Sequence, residues 1–169
     1  MEKINLQDKP GLHGFRAQAI VEFAIVLPVL ILIVVGLMEV GRLIVIYAGV
    51  TNASREAARY GSVVGRDNGY YKYQYCDGIK DKAIKSAFMI APADLTITVE
   101  YDNGGSAPAV VDTCNGSVDT NVAFVSGVTR VKVTVTAVYR PMVRIVPIPQ
   151  RVFTSVSART ILGIVDVGN

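Results

Sequence analysis

The chain has 169 residues, room for one ordinary domain and a membrane segment but not for two full domains. Its apolar fraction is 51% against 18% charged, below the quarter usual for a soluble chain. A net charge of +3, dispersed and without any basic run, excludes a nucleic-acid footprint, and one histidine with two cysteines offers no zinc site.

The deficit of charge is local. Between residues 19 and 50 the only charged side chains are Glu22, Glu39 and Arg42. Phe23 to Met38 is an uncharged run of sixteen residues, and the apolar pattern resumes from Val40 to Tyr47. With Glu39 and Arg42 paired three residues apart and reaching toward headgroups, a spanning helix of about 20–25 residues fits. The run is longer than a secretory signal's apolar core and leads into more helix rather than a cleavage site. Lys3, Lys9 and Arg16 outnumber Glu2 and Asp8 before it. Arg42, Arg55 and Arg59 beyond it are also basic, so charge alone does not orient the helix. The β-rich, cysteine-bearing remainder places the N-terminus in the cytoplasm.

Helical character continues from Ala48 to Gly61, which is rich in alanine, free of proline and carries Glu56 and Arg59 at i, i+3. From Gln18 to Tyr60 a single helix would be about 65 Å long. Pro28 should kink it, and Gly61 should stop it. The small residues Ala48, Gly49, Ala53, Ser54, Ala57 and Ala58 would let another backbone or a sheet approach closely. Gly65 to Gly69 follows as loop.

Glu22 stands at the mouth of the membrane run, where a carboxylate costs up to about 3 kcal/mol if drawn toward the bilayer centre. Its surroundings carry a pattern: a short polar leader, a small residue, four residues, then Glu22 and the aromatic Phe23 leading into the helix. With Arg16, Leu27-Pro28, Gly36, Glu39, Gly41-Arg42, Tyr47 and the stretch Thr51 to Gly61, this resembles the TadE-like family, pseudopilins of the tight-adherence (Tad/Flp) pilus system. The resemblance covers about the first 65 residues; Tyr139-Arg140-Pro141 and the flanking Thr/Val and Thr/Ser/Ala strands match more loosely. It implies cleavage by a prepilin peptidase between Ala17 and Gln18, which makes Glu22 the fifth mature residue. Family members commonly carry glycine before the cut; here it is Ala17, and a cut after Gly14 would place Glu22 eighth. It further implies that Glu22 neutralises a neighbouring subunit's new amine, and that Phe23, Pro28, Gly36, Glu39, Gly41 and Arg42 belong to helix packing. The implied partners are membrane lipid, other pilin or pseudopilin subunits, the pilus assembly platform and the peptidase, with no cofactor.

After the helix, Tyr70, Tyr71, Tyr73 and Tyr75 form a dense patch just before Cys76; they are rings packed on their own domain or a partner surface. Ile79 to Met89 has helical periodicity, with Ile79, Ala83 and Ala87 on one side and Ile84 and Phe88 adjacent, and Pro92 ends it. Leu95 to Tyr101 alternates as a strand, Asp102 to Gly105 is a turn, and 106–121 is a loop holding Cys114. Thr129 to Tyr139 is the best strand, ended by Pro141. An irregular apolar loop from Met142 to Gln150 precedes a last strand from about Val152 to Ile164. Cys76 and Cys114 form a disulfide if that side is oxidising, and are two buried thiols otherwise. The fold class is α+β: a long N-terminal transmembrane helix and a small antiparallel sheet with one short helix. Three segments follow: leader 1–17, helix 18–62, non-cytoplasmic domain 63–169.

The leading function is a structural or assembly component, a minor pilin or pseudopilin of the inner membrane. An enzyme is disfavoured, because His13 lies in the leader and no phosphate loop or cysteine–histidine pair follows; only Asp112 and Asp119 could form an acid–base pair. A tethered adhesion or binding domain unrelated to pili is the alternative.

Overall fold

The computed structural model describes residues 13–120, 122, 130–142 and 149–162. Most of the leader, Thr129, the apolar loop over 143–148 and the end of the last strand at Ile164 lie outside the described residues. The chain divides into two compact units, Met1–Val40 and Gly41–Asn169.

Helix α1 runs from His13 to Ser62, uninterrupted at Pro28. In the first unit most of its described apolar side chains are exposed. Val21, Phe23, Ile25, Leu30, Ile33 and Leu37 are all exposed, and no part of the most apolar window is buried. Such a surface is stable in lipid and costly in water.

In the second unit α1 changes character. Ile46, Val50, Ala53, Ala57 and Ala58 are buried at spacings of three and four, a single stripe facing protein. What they meet is a four-stranded antiparallel sheet of order β4-β3-β5-β6. Its strands are β3 (Leu95–Asp102), β4 (Val110–Thr113), β5 (Arg130–Tyr139) and β6 (Arg151–Thr160). Along β5 every second residue, from Val131 through Val133, Val135 and Ala137 to Tyr139, is fully buried, as the two-residue period of a one-sided sheet requires. Val99 and Tyr101 of β3 join them, and Phe153 of β6 packs at the margin. The small residues of α1 admit the sheet closely enough for the Ser54 and Ser155 hydroxyls to bond at 2.9 Å. The opposite face is threonine-rich, with Thr136 and Thr154 bonded across strands at 3.1 Å.

Several sequence expectations change here. Gly61 does not stop α1; it lies buried inside the last turn, where a Cβ would sit 3.1 Å from Ile79 and 3.4 Å from Val131. The loop after it is a tight hairpin of β1 (Arg66–Asp67) and β2 (Tyr70–Tyr71), closed by Asn68 and Gly69 at φ 50° and 84°. Two central residues at positive φ make the turn whose twist suits paired strands, and Asn-Gly is its usual sequence. Helix α2 spans Cys76–Ser86 rather than Ile79 to Met89. Ile79, Ala83 and Ala87 are buried as expected, but Phe88 is exposed because the helix has already ended. Pro92 does not terminate α2; it opens a separate 3₁₀ turn, Pro92–Asp94. Strand β4 lies within the expected loop 106–121, pairing Thr113 with Glu100 and, past a bulge, Val110 with Asp102.

The tyrosine patch is mostly internal. Tyr73 is buried and stacks on Tyr71 with centroids 5.4 Å apart, and Arg66 lies over the Tyr71 ring. Tyr101, fully buried, donates its hydroxyl hydrogen bond to the Tyr73 carbonyl, and burial pushes its phenol up from the ordinary value. Beside it Cys76 is bonded to Cys114 across 38 positions, with the Cα atoms 5.8 Å apart. The Asp77 and Asp119 amides donate to Ser117 and Gln74 carbonyls, strapping the loop after β4 to the start of α2. At the same end Asp102, with its side chain 1% exposed, accepts Arg130 Nε at 2.7 Å and the Gly104 amide at 2.9 Å. The Arg130 hydrogen bonds hold the Asp102 carboxyl below its usual value, against the opposing effect of burial.

Three stability measurements on the detergent-solubilised chain test this packing. Gly78 lies in α2 where a Cβ would meet the Tyr75 ring at 2.4 Å and the Tyr60 hydroxyl at 2.7 Å. Alanine would gain about 1 kcal/mol of helix propensity but overpack by about 1–3 kcal/mol, so Gly78→Ala should lower the melting temperature of the near-ultraviolet tyrosine signal. Reductant should destabilise the domain by up to about 4 kcal/mol, the chain-entropy value for a loop of this length. Asp102→Asn should cost about 1–3 kcal/mol at neutral pH. Because the folded carboxyl is depressed, the contribution is complete above the unfolded value near ~4 and is lost as pH falls through the folded one. A wild-type advantage over Asp102→Asn that persists in acid would contradict this assignment.

Candidate functional site

No metal-binding cluster of His, Cys, Asp or Glu occurs among the described residues. The candidate site is therefore a surface, the face of α1 that the chain's own fold does not use. Gln18, Val21, Glu22 and Ile25 line one shallow groove, as residues spaced three, four and seven apart on a helix must. Glu22 is exposed there, one turn beyond Gln18, and among the described residues it has no hydrogen-bond or ion-pair partner. The backbone from Ala17 into Gln18 is helical.

Further along, Phe23 is 64% exposed and Pro28 is also uncovered. A Cβ built on Gly36 or on Gly41 would touch nothing within 4 Å. Glu39 is buried at 4% exposure. These residues share α1 but do not converge on one point.

Arg42 belongs to the second unit and has a structural task within it. Its Nη1 donates to the Arg140 carbonyl at 2.9 Å, and its guanidinium lies 5.5 Å from the centroid of the Tyr139 ring. Arg140 in turn pairs with Asp94 at 3.3 Å. The turns of α1 near Arg42 are thereby tied to one end of the sheet. Sequence spacing could not have suggested this: Arg42 and Arg140 lie 98 positions apart.

Asp112 and Asp119 flank the buried Tyr101, and both contribute to raising its phenol. The Asp112 carboxylate accepts the Thr113 amide at 2.7 Å, and the Asp119 side chain is buried. They serve loop geometry around the disulfide.

Comparison with known proteins adds one finding: residues 17–59 match the family model described as TadE-like protein. No curated protein and no solved structure matches the chain. The matched segment starts at Ala17, contains the exposed face around Glu22, and ends in the turns of α1 that pack on the sheet. Among the described residues one helix is long and apolar enough to cross a membrane, which together with the TadE-like match over residues 17–59 supports a single-pass membrane protein.

Proposed function

We propose that this chain is a minor pilin or pseudopilin of a Tad pilus, acting by helix packing and not by catalysis. The observation that carries the proposal is the coincidence of the TadE-like match with a helix whose large apolar side chains from Ile20 to Met38 are mostly exposed. The TadE-like match over residues 17–59 supports a role in Tad pili, and the residue roles come from that resemblance together with the chemistry of the side chains. The helix sits in the inner membrane, with residues 63–169 on the non-cytoplasmic side. The Cys76–Cys114 bond supports that orientation, since disulfides persist in oxidising compartments.

A prepilin peptidase cuts between Ala17 and Gln18, leaving a cationic amine one helical turn from Glu22. Within one subunit that amine and carboxylate share a face. Between subunits, the Glu22 of one can neutralise the amine of the next, removing two charges that lipid solvates badly. Phe23, Pro28, Gly36 and Gly41 mark the length of helix that neighbouring subunits or the assembly platform engage, whereas Glu39 is buried and Arg42 is committed to the Arg140 carbonyl. Glycine at 36 and 41 allows close helix approach.

The test places a photo-crosslinker at the exposed Leu30 in cells that build the pilus. Adducts with another helix-anchored subunit are expected, with Gln18 as the N-terminal residue of the membrane-resident protein. Glu22→Ala should still insert but lose adduct yield by roughly tenfold, the consequence of deleting one partner of a desolvated charge pair. Full adduct yield from Glu22→Ala would refute the neutralising role. An intact Met1 together with no adducts would refute the pilin assignment.

A further inference from the structure

The second unit has two distinct ends. At one, the start of β3, the end of β5 and the start of β6 lie together, because Leu95 pairs with Ala137 and Tyr139 with Arg151. Arg42 and Tyr47 of α1 lie at this same end, through the Arg140 carbonyl and the edge-on contact of Tyr47 with Phe153 at 6.0 Å. At the other end are Asp102, Arg130 and the last turn of α1, whose Ser62 carbonyl accepts the Leu162 amide.

Large apolar side chains are bare at the first end. Phe88 is 69% exposed and Met89 57%, on a knuckle that follows α2 and turns at Met89 with φ 61°. This knuckle rests against α1: a Cβ on Gly49 would lie 3.2 Å from the Phe88 carbonyl oxygen and 3.5 Å from the Ile90 side chain. Ile44 and Tyr47 on α1, Met142 after β5 and Val152 on β6 are also exposed. The four segments are separate in sequence and converge only in the fold. Their polar neighbours include the 69%-exposed Arg140, paired with Asp94 at 3.3 Å, and the exposed Arg151.

We infer that this end of the domain docks on the lipid surface, with Phe88 and Met89 inserted among the headgroups and upper acyl chains. Continuity identifies the occupant. The apolar surface of α1 runs on through Ile44 to Tyr47, so the bilayer boundary falls at that level, and Gly49 is only about 3 Å further along the axis. An aromatic and a thioether at that height meet the interface, where a ring beside arginines is at home. The positive φ at Met89 turns the chain back after these two residues, leaving a short apolar tip of the kind that enters a bilayer surface without spanning it. The domain is then held at two places on the membrane, by its helix and by its knuckle.

This inference rests on the membrane reading of α1, and the experiment separates the two. The chain contains no tryptophan, so a single introduced one reports its own surroundings. Full-length protein carrying Phe23→Trp, Phe88→Trp, Met89→Trp or Tyr70→Trp is reconstituted in phosphatidylcholine–phosphatidylglycerol vesicles with and without brominated phosphatidylcholine. Tyr70 is exposed on the hairpin beyond the far end of α1. Loss of fluorescence is expected for Phe23→Trp, Phe88→Trp and Met89→Trp, with bromine near the headgroups acting more strongly on the knuckle positions, while Tyr70→Trp keeps its intensity. If both knuckle variants behave like Tyr70→Trp while Phe23→Trp is quenched, the docking is overturned and the membrane helix stands. If Phe23→Trp itself is unquenched, the membrane reading fails and the docking falls with it.

Discussion

Inside a bilayer a backbone amide must find its acceptor within its own segment, and α1 meets that demand by being helical from His13 to Ser62 without a break. The same requirement does not hold outside lipid, where the side chains decide what a helix can do. Through the first unit α1 is apolar all round; from Ile46 onward only a stripe is apolar, and that stripe is covered by the sheet. One element thus serves two solvents, and the rest of the second unit is arranged to supply the cover.

The arrangement depends on residue size as much as on polarity. A sheet can lie directly on a helix only where the helix surface is smooth, and Gly49, Ala53, Ser54, Ala57 and Ala58 make it so. The bulk needed to fill the interface comes from the other partner, through the valines of β5 and the rings of Tyr101, Tyr139 and Phe153. Polar fastenings sit at both ends of this layer. Arg42 with Arg140 and Tyr139 holds one end; Asp102 with Arg130, next to the Tyr101 hydroxyl and the disulfide, holds the other.

What the sequence reveals follows from how local each cause is. The membrane stretch and the strands β3 and β5 are visible because composition and a strict two-residue period act along one segment. The Glu56–Arg59 pair, at 2.9 Å, is equally local. Strand β4 escapes because four residues, Val110 to Thr113, show no usable alternation; the exposed edge of β3 selects them. The end of α2 is misplaced because Phe88 keeps the helical spacing of Ile84 although the helix ends at Ser86 and Ala87 has already left helical backbone angles. The hairpin had a signal in Asn68-Gly69, but strands of two residues gave no pattern around it. Of the candidate site, the face around Glu22 is legible because a lone carboxylate in an apolar helix is conspicuous. The tie from Arg42 to Arg140 is a product of the fold alone.

The glycines of α1 separate what this chain needs for itself from what it offers others. Each glycine in a helix interior costs about 1 kcal/mol relative to alanine. At Gly49 and Gly61 the fold explains the cost: an added Cβ would press on the Phe88 carbonyl or on Ile79 and Val131. At Gly36 and Gly41, among the described residues, no atom beyond the helix's own backbone stands within 4 Å of that Cβ. In lipid, where apolar burial no longer drives helices together, close packing at small residues is what remains to bind them. A glycine in that setting suits the close approach of a neighbouring helix. Glu22 is likewise exposed on α1 and, among the described residues, has no hydrogen-bond or ion-pair partner.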